Sequence, residues 1–173
     1  MQHLTTPFII DIEASGFGYD SYPIEVGVVL NDGQRFCSLI LPAQEWTHWD
    51  NEAEKIHKVT REMLSAYGKP VGTVANQLNE MLAGMVLYSD GWVVDKPWLT
   101  TLFRQAGISM SFSISPLEAI LSDLQMEVWH ETKDKLTSEL KLTRHRASDD
   151  ALIIHVTFIL TLAFIQSYIY IYI

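Results

Sequence analysis

The chain has 173 residues, of which 48% are apolar and 19% charged, so it holds enough apolar material for one core and disorder is not expected. Its 12 basic and 21 acidic residues give a formal net charge of −9, the opposite of a general nucleic-acid coat or a polybasic membrane binder. Cys37 is the only cysteine, which excludes a disulfide within the chain and predicts a reducing, cytoplasmic setting.

The first third of the chain has the pattern of three β-strands, and residues 1–7 lack the features of a signal peptide. Residues 8–14 (FIIDIEA) form an apolar run with two carboxylates at alternate positions. Residues 23–30 and 34–41 are apolar runs that flank Asn31-Asp32-Gly33, and Asp-Gly between apolar runs is a strong hairpin signal. The pattern predicts a mostly antiparallel sheet.

From Asp50 onward, apolar residues recur mainly at helical spacing. Four helices are predicted here, over residues 51–66, 70–82, 96–106 and 116–125. Residues 85–88 suit a short buried strand, and residues 109–115 a weak strand or a loop. Residues 130–146 are polar and basic, which is typical of a loop with one short helix. Strands followed by alternating helices and strands predict one α/β domain over residues 1–173.

The last 23 residues, 151–173, contain no charge. A run of this length can span a bilayer, and the other interpretation is a buried helix over about 151–164 followed by an apolar, low-complexity tail over about 165–173. We favour the buried helix because His155, Gln166 and Ser167 interrupt the run and no basic flank follows it. We therefore expect no stable association with a membrane.

Several carboxylates stand at positions suited to chemistry. Asp11 and Glu13 lie two residues apart on the first predicted strand, so both side chains leave the same face. Buried charges need a partner, and a hard divalent cation such as Mg²⁺ would be one. The alternative is a strand end with solvated acids, and the spacing does not decide between them. Asp95, Asp149 and Asp150 precede or open helices, where a carboxylate alone is most often a cap.

Five segments together have the order and spacing of a known set of motifs. They are Asp11-Ile12-Glu13, residues 23–29 (PIEVGVV), residues 56–60 (IHKVT) followed by Met63-Leu64, residues 95–99 (DKPWL) and residues 145–151 (HRASDDA). They resemble the DEDDh family of 3′–5′ exonucleases, including the proofreading-subunit-like and RNase T-like enzymes, over essentially the whole chain. The most specific part is His145 five residues before Asp150.

The resemblance implies an RNase H-like fold, with a central mixed five-stranded sheet that begins with three antiparallel strands and is flanked by helices. It implies that two Mg²⁺ or Mn²⁺ ions are held by Asp11, Glu13, Asp95 and Asp150. It also implies that His145 is the general base for the attacking water, a role that histidine can fill at neutral pH. Two divalent ions would offset four carboxylates, so an acidic protein can still hold a phosphodiester.

Two motifs leave alternatives open. The second reads D-G-W-V-V-D, from Asp90 to Asp95, where the family often has H-N-x-x-F-D, so the usual polar pair that faces the substrate is absent and Asp90 competes with Asp95 as a ligand. In the third motif, helical spacing favours Asp149, four residues after His145. Only the resemblance selects Asp150.

Further residues are predicted to contact the substrate: Ala14, Ser15, Gly16, Phe17, His57, Trp92 and Arg146. Small residues in the turn 14–17 allow close backbone approach, and Phe17 either stacks on a base or covers the edge of the core. His57 either reaches the terminal nucleotide or lies on the surface. Five basic residues are either a track for the nucleic-acid backbone or a solvated face; they are Lys133, Lys135, Lys141, Arg144 and Arg146.

These features predict a metal-dependent 3′–5′ exonuclease that removes nucleoside 5′-monophosphates from the 3′ ends of single-stranded RNA or DNA. Short oligonucleotides suit the small amount of basic surface. Members of this family often dimerise, so a homodimer is a further expectation. The alternative is a catalytically weak module that binds nucleic acid or protein and retains the exonuclease fold, which the net charge and the altered second motif favour.

Overall fold

Three antiparallel strands begin the sheet, as the sequence predicts: β1 (Phe8–Ala14), β2 (Pro23–Val29) and β3 (Arg35–Leu41). The structure is a computed structural model that describes residues 6–140, 142 and 144–172, with the backbone alone for 168–172. The predicted hairpin turn joins β2 to β3, and the Asp32 carboxylate accepts a hydrogen bond from the backbone N–H of Gln34 there.

Helices and short strands alternate over the rest of the chain. In order they are α1 (Asn51–His57), α2 (Arg61–Tyr67), β4 (Lys69–Pro70), α3 (Val71–Leu82), β5 (Val86–Ser89), α4 (Trp92–Ala106), β6 (Ser113–Pro116), α5 (Asp123–Glu139) and α6 (Ala147–Tyr172). A single 3₁₀ turn, Leu117–Ala119, follows β6.

The mixed sheet has the strand order β4-β3-β2-β1-β5-β6. It has six strands among the described residues, so the prediction of five strands is wrong. The additional strand is β4, in which Lys69 and Pro70 pair in parallel with the end of β3. Two residues are too few for side-chain alternation to reveal a strand. The α/β class and the three leading antiparallel strands are confirmed.

Three predicted helices differ from those in the structure. The helix expected over 96–106 begins earlier, at Trp92. The helix expected over 51–66 is two helices, because Lys58 adopts the left-handed conformation (φ 59°) and Thr60 caps α2. The helix expected over 116–125 is absent, since residue 116 ends β6. Ser122 and Gln125 instead form a capping box at the start of α5, which runs through most of the loop expected over 130–146.

The C-terminal helix is longer than the predicted 151–164, since α6 begins at Ala147 and its backbone stays helical to Tyr172. Its segment Ala147–Ser167 is long and apolar enough to cross a membrane, by length and composition only. Part of this segment, including Ile154 and Phe158, packs into a core with β1 and α5. That the helix is not a membrane anchor stays a prediction.

Alternate residues of β1 serve opposite faces of the sheet. Ile10 and Ile12 pack into the larger core with α3 and α4, whereas Ile9 packs with α5 and α6. Asp11 and Glu13 share the alternation of Ile9, so they leave the sheet on the face covered by α6. The fold therefore brings the N-terminal end of α6 to the carboxylates of β1.

Candidate active site

Four carboxylates and one imidazole meet where β1, α4 and α6 come together. Asp11 and Glu13 lie on β1, Asp95 lies in the first turn of α4, and Asp150 lies in the first turn of α6. The ligand atoms of Glu13, His145 and Asp150 all lie within 4.8 Å of one another. The charges of Asp95, Glu13 and Asp150 raise the pKa of Asp11, which indicates that Asp11 lies near them.

The carboxylates of this group repel one another in a partly dry environment. Burial raises the pKa of Glu13 to about 8, and the charges of Asp150 and Glu25 act in the same direction. Burial also raises the pKa of Asp95 to about 7. The pKa of Asp11 lies well above its usual range, first because of burial and then because of Asp95. The group therefore lacks positive charge that would stabilise its ionised form.

A divalent metal ion fits this donor set. Carboxylate oxygens are the ligands that hard ions such as Mg²⁺ and Mn²⁺ prefer. Such ions would supply the missing positive charge and lower the pKa values of the carboxyl groups. The residues that would hold them are Asp11, Glu13, Asp95 and Asp150.

Asp95 is held in place by two strands. Its side chain is almost fully buried and accepts hydrogen bonds from the hydroxyl of Ser89, at the end of β5, and from the backbone N–H of Ile12. The competing residue Asp90 forms an ion pair with Lys133 of α5. The geometry thus directs Asp95 toward β1 while Asp90 has a cation of its own.

The third motif is arranged by the chain just before α6. His145 lies outside the helix in the left-handed conformation (φ 61°), so the helical spacing that favoured Asp149 does not apply. The backbone N–H of His145 donates to Oδ2 of Asp150 at 2.8 Å. Asp149 instead pairs with Arg35 of β3 at 2.5 Å, which turns its carboxylate away from the group.

A cavity of about 340 Å³ adjoins Glu13 and His145. Its walls include Ala14, Gly16, Phe17 and His57, which the sequence predicts as substrate contacts, together with Asp50, Ile56 and Trp98. The Asp50 side chain caps α1. No sequence pattern indicates that Asp50 also lines the cavity. Phe17 is 73% exposed and lies against Trp98 with ring centroids 6.0 Å apart.

Three predicted substrate contacts lie outside this cavity wall. Ser15 is buried, where its hydroxyl accepts from the N–H of Tyr22 and contacts His48. Trp92 lines a separate groove on α4. Arg146 forms an ion pair with Glu25, a pairing that no sequence pattern indicates. Lys141 of the basic cluster lies outside the described residues.

His57 is a buried residue of the cavity wall, not a surface histidine. Only 2% of it is exposed. Its Nδ1 accepts from the backbone N–H of Val59 at 3.0 Å, which assigns the ring proton to Nε2. Among the described residues, Nε2 has no hydrogen-bond partner. Burial lowers the pKa of His57, which favours the neutral ring with its proton on the buried Nε2.

Neither a scan against protein-family models nor a search of curated proteins finds a match to this chain. The structure is similar to solved structures of exonuclease I from E. coli. Its complex with a dA16 oligonucleotide matches with a TM-score of 0.64 and 13% identity, over 86% of this chain and 39% of that chain. The product-bound structure matches with a TM-score of 0.65 and 13% identity, over 88% and 42%.

A zinc-bound complex of the same E. coli enzyme with single-stranded DNA also matches, with a TM-score of 0.65 and 13% identity, over 91% of this chain and 40% of that chain. The present chain thus spans about two fifths of the length of these proteins. At this identity the likeness shows a shared fold. That fold is the RNase H-like arrangement expected from the sequence.

The raised pKa values predict how stability depends on pH and metal. A carboxyl group with a higher pKa in the folded protein stabilises the fold below its unfolded pKa, and this stabilisation is lost as the pH rises through the folded value. For Glu13 and Asp95 the loss begins above the unfolded pKa values of about 4 and is complete once the pH has passed the folded values of about 8 and about 7. In EDTA, we expect the free energy of unfolding to fall between about pH 6.5 and 8.5 by on the order of 1–3 kcal/mol.

Urea unfolding at the two pH values measures this, with and without Mn²⁺. The metal is expected to restore stability mainly at the higher pH, and Asp95→Asn is expected to reduce the loss. Equal stability at both pH values in EDTA would contradict the electrostatic account of the group.

Proposed function

We propose that this chain is a metal-dependent 3′–5′ exonuclease acting on short single-stranded nucleic acid, with nucleoside 5′-monophosphates as products. The observation that carries the proposal is the convergence of four carboxylates and His145 beside a small cavity. The fold shared with exonuclease I, whose structures hold single-stranded DNA oligonucleotides, supports the same assignment.

The carboxylates would hold two divalent ions, which when bound activate water and stabilise the leaving 3′-oxygen. Asp11 and Glu13 approach from β1, while Asp95 and Asp150 approach from the first turns of α4 and α6. These are rigid elements, so the ligands are preorganised. His145 lies beside Glu13 and Asp150, where its imidazole accepts the proton of the attacking water.

The terminal nucleotide would occupy the cavity beside this group. Phe17 offers an exposed ring for stacking on a base, and this ring also contacts the ring of Trp98. The Nε2–H of His57 is buried in the cavity wall without a partner, and a local shift of the wall on substrate binding would let it donate to an acceptor atom of the nucleotide. Gly16 has φ of 139°, and a Cβ there would lie 2.6 Å from the Cβ of Asp50, so glycine lets this turn pack against Asp50 in the cavity wall.

The arrangement of charges supports short substrates. Lys133 pairs with Asp90, Lys135 with Glu139 and Arg146 with Glu25, so these members of the predicted basic track already have carboxylate partners. A long strand gains affinity by neutralising many phosphates with cations. Because these three cations are paired, they would add little affinity for phosphates far from the 3′ end.

Two neighbouring aspartates on α6 provide a matched test. We expect Asp150→Asn to lower kcat by at least about 100-fold, because it removes one charged ligand of the metal group while keeping the side-chain shape. Asp149→Asn removes a charge one residue away that faces Arg35, so its kcat is expected within about threefold of wild type.

Steady-state assays on a labelled oligonucleotide measure both kcat values, and calorimetry with Mn²⁺ measures ligand loss. Circular dichroism of the two variants controls for folding. Wild-type cleavage by Asp150→Asn would contradict the assignment, and loss of cleavage in Asp149→Asn alone would exchange the roles of the two residues.

His57 is tested by a variant that keeps a ring but lacks the donor. His57→Phe should raise KM for a dinucleotide by about 2- to 10-fold, since one hydrogen bond contributes about 0.5–1.5 kcal/mol. Affinity for Mn²⁺ should not change, because His57 is not a proposed ligand. An unchanged KM in a folded variant would show that Nε2 does not contact the substrate.

A further inference from the structure

We propose that Glu25 and Arg146 form a positioning pair for the candidate active site. The pair fixes the short segment that contains His145 and leads into α6. This inference rests on the proposed exonuclease function. Neither residue touches the reacting atoms in this proposal. Their effect is transmitted through the backbone of residues 145–147.

Glu25 is a fully buried carboxylate with its contacts made inside the protein. Arg146 donates to it from Nε at 3.0 and 3.1 Å and from Nη2 at 2.6 Å. The backbone N–H of Ala147 donates to the second oxygen at 3.1 Å, and the thiol of Cys37 to the first at 3.3 Å. Both oxygens are therefore occupied by the segment before α6 and by β3.

The position of Glu25 makes a purely stabilising role unfavourable. It lies opposite Glu13 in the register of β1 and β2, and its charge raises the pKa of that neighbour. Buried ion pairs are often no more stabilising than apolar packing of the same volume. A charge kept here, against a nearby carboxylate, points to a geometric requirement.

That requirement is the conformation of His145. The residue has φ of 61°, which is unfavourable for a side chain other than glycine by about 1–2 kcal/mol and persists only where its surroundings impose it. The two residues that follow it, Arg146 and Ala147, are those bound by Glu25. The hydrogen bond from His145 to Asp150 then ties the same segment to a proposed metal ligand.

A second contact from β2 fixes the same turn. A Cβ at Gly27 would lie 2.2 Å from the carbonyl carbon of Ala147, so the backbones of β2 and α6 touch there. Glu25 and Gly27 thus hold the start of α6 at two points of one strand. Because β2 pairs with β1, these contacts fix the position of His145 relative to Asp11 and Glu13.

The proposal differs measurably from the sequence-based expectation that Arg146 contacts the substrate. If Arg146 contacted a phosphate of the substrate, replacing it would raise KM. Removing the charge of Glu25 would then release Arg146 to bind the phosphate. If the pair positions His145, replacing either partner lowers kcat and leaves KM nearly unchanged. The two variants Glu25→Gln and Arg146→Lys separate these cases.

Glu25→Gln keeps the side-chain shape and removes the buried charge, and Arg146, which is one-third exposed, can turn to solvent. We expect kcat to fall roughly 10- to 100-fold, with KM for a dinucleotide within about twofold of wild type. Arg146→Lys keeps the charge but loses the two-point contact, and its kcat should fall in the same direction.

Arg35→Lys is the matched control. Arg35 binds Ser148 and Asp149 in the same turn of α6, yet it does not hold the residues next to His145. Its kcat should stay within about twofold of wild type. Wild-type kcat in Glu25→Gln would overturn the proposal, as would a raised KM at unchanged kcat in Arg146→Lys.

Amide hydrogen exchange separates failure of the pair from failure of the proposed function. If the wild-type protein cleaves no substrate, the exonuclease assignment fails, and the pair is judged by the His145 N–H alone. Its exchange should be faster in Glu25→Gln than in wild type and unchanged in Arg35→Lys. Equal exchange rates in all three proteins would overturn the positioning role, whether or not the protein cleaves.

Discussion

The mutual repulsion of Asp11, Glu13, Asp95 and Asp150 is the constraint on which the rest of the structure depends. Burial raises the pKa values of all four, and nearby carboxylates act in the same direction on Asp11, Glu13 and Asp95, so a folded chain that brings them together loses stability unless a cation compensates. Packing of β1 between α4 and α6 compensates for this loss of stability. A divalent ion bound by the four carboxylates would reduce their repulsion.

The scaffold holds these groups through backbone contacts more than through side-chain pairs. Asp95 accepts from the N–H of Ile12 on β1, and Asp150 accepts from the N–H of His145. Gly27 lets α6 approach β2 closely. Each contact fixes the position of one proposed ligand relative to the central strands. Small shifts of α4 or α6 would therefore move the ligands relative to one another.

Sequence patterns predicted the strands of the first third well, because side-chain alternation is local. The roles of Asp11, Glu13, Asp95 and Asp150 stay a prediction. The patterns missed β4, which is too short to show alternation, and the break at Lys58, across which the apolar spacing continues. The Glu25–Arg146 pair was also missed. Its partners lie 121 residues apart, and no local pattern links two such residues.

The central claim is that this metal group removes nucleotides from a 3′ end. A gel time course tests it most directly, with 5′-labelled RNA and DNA of matched sequence, at short and long lengths, in Mg²⁺, Mn²⁺ or EDTA and beside Asp11→Asn. The account predicts a ladder that shortens one nucleotide at a time, needs metal and is absent in the variant. No ladder from folded protein, or one that persists in EDTA, would contradict it.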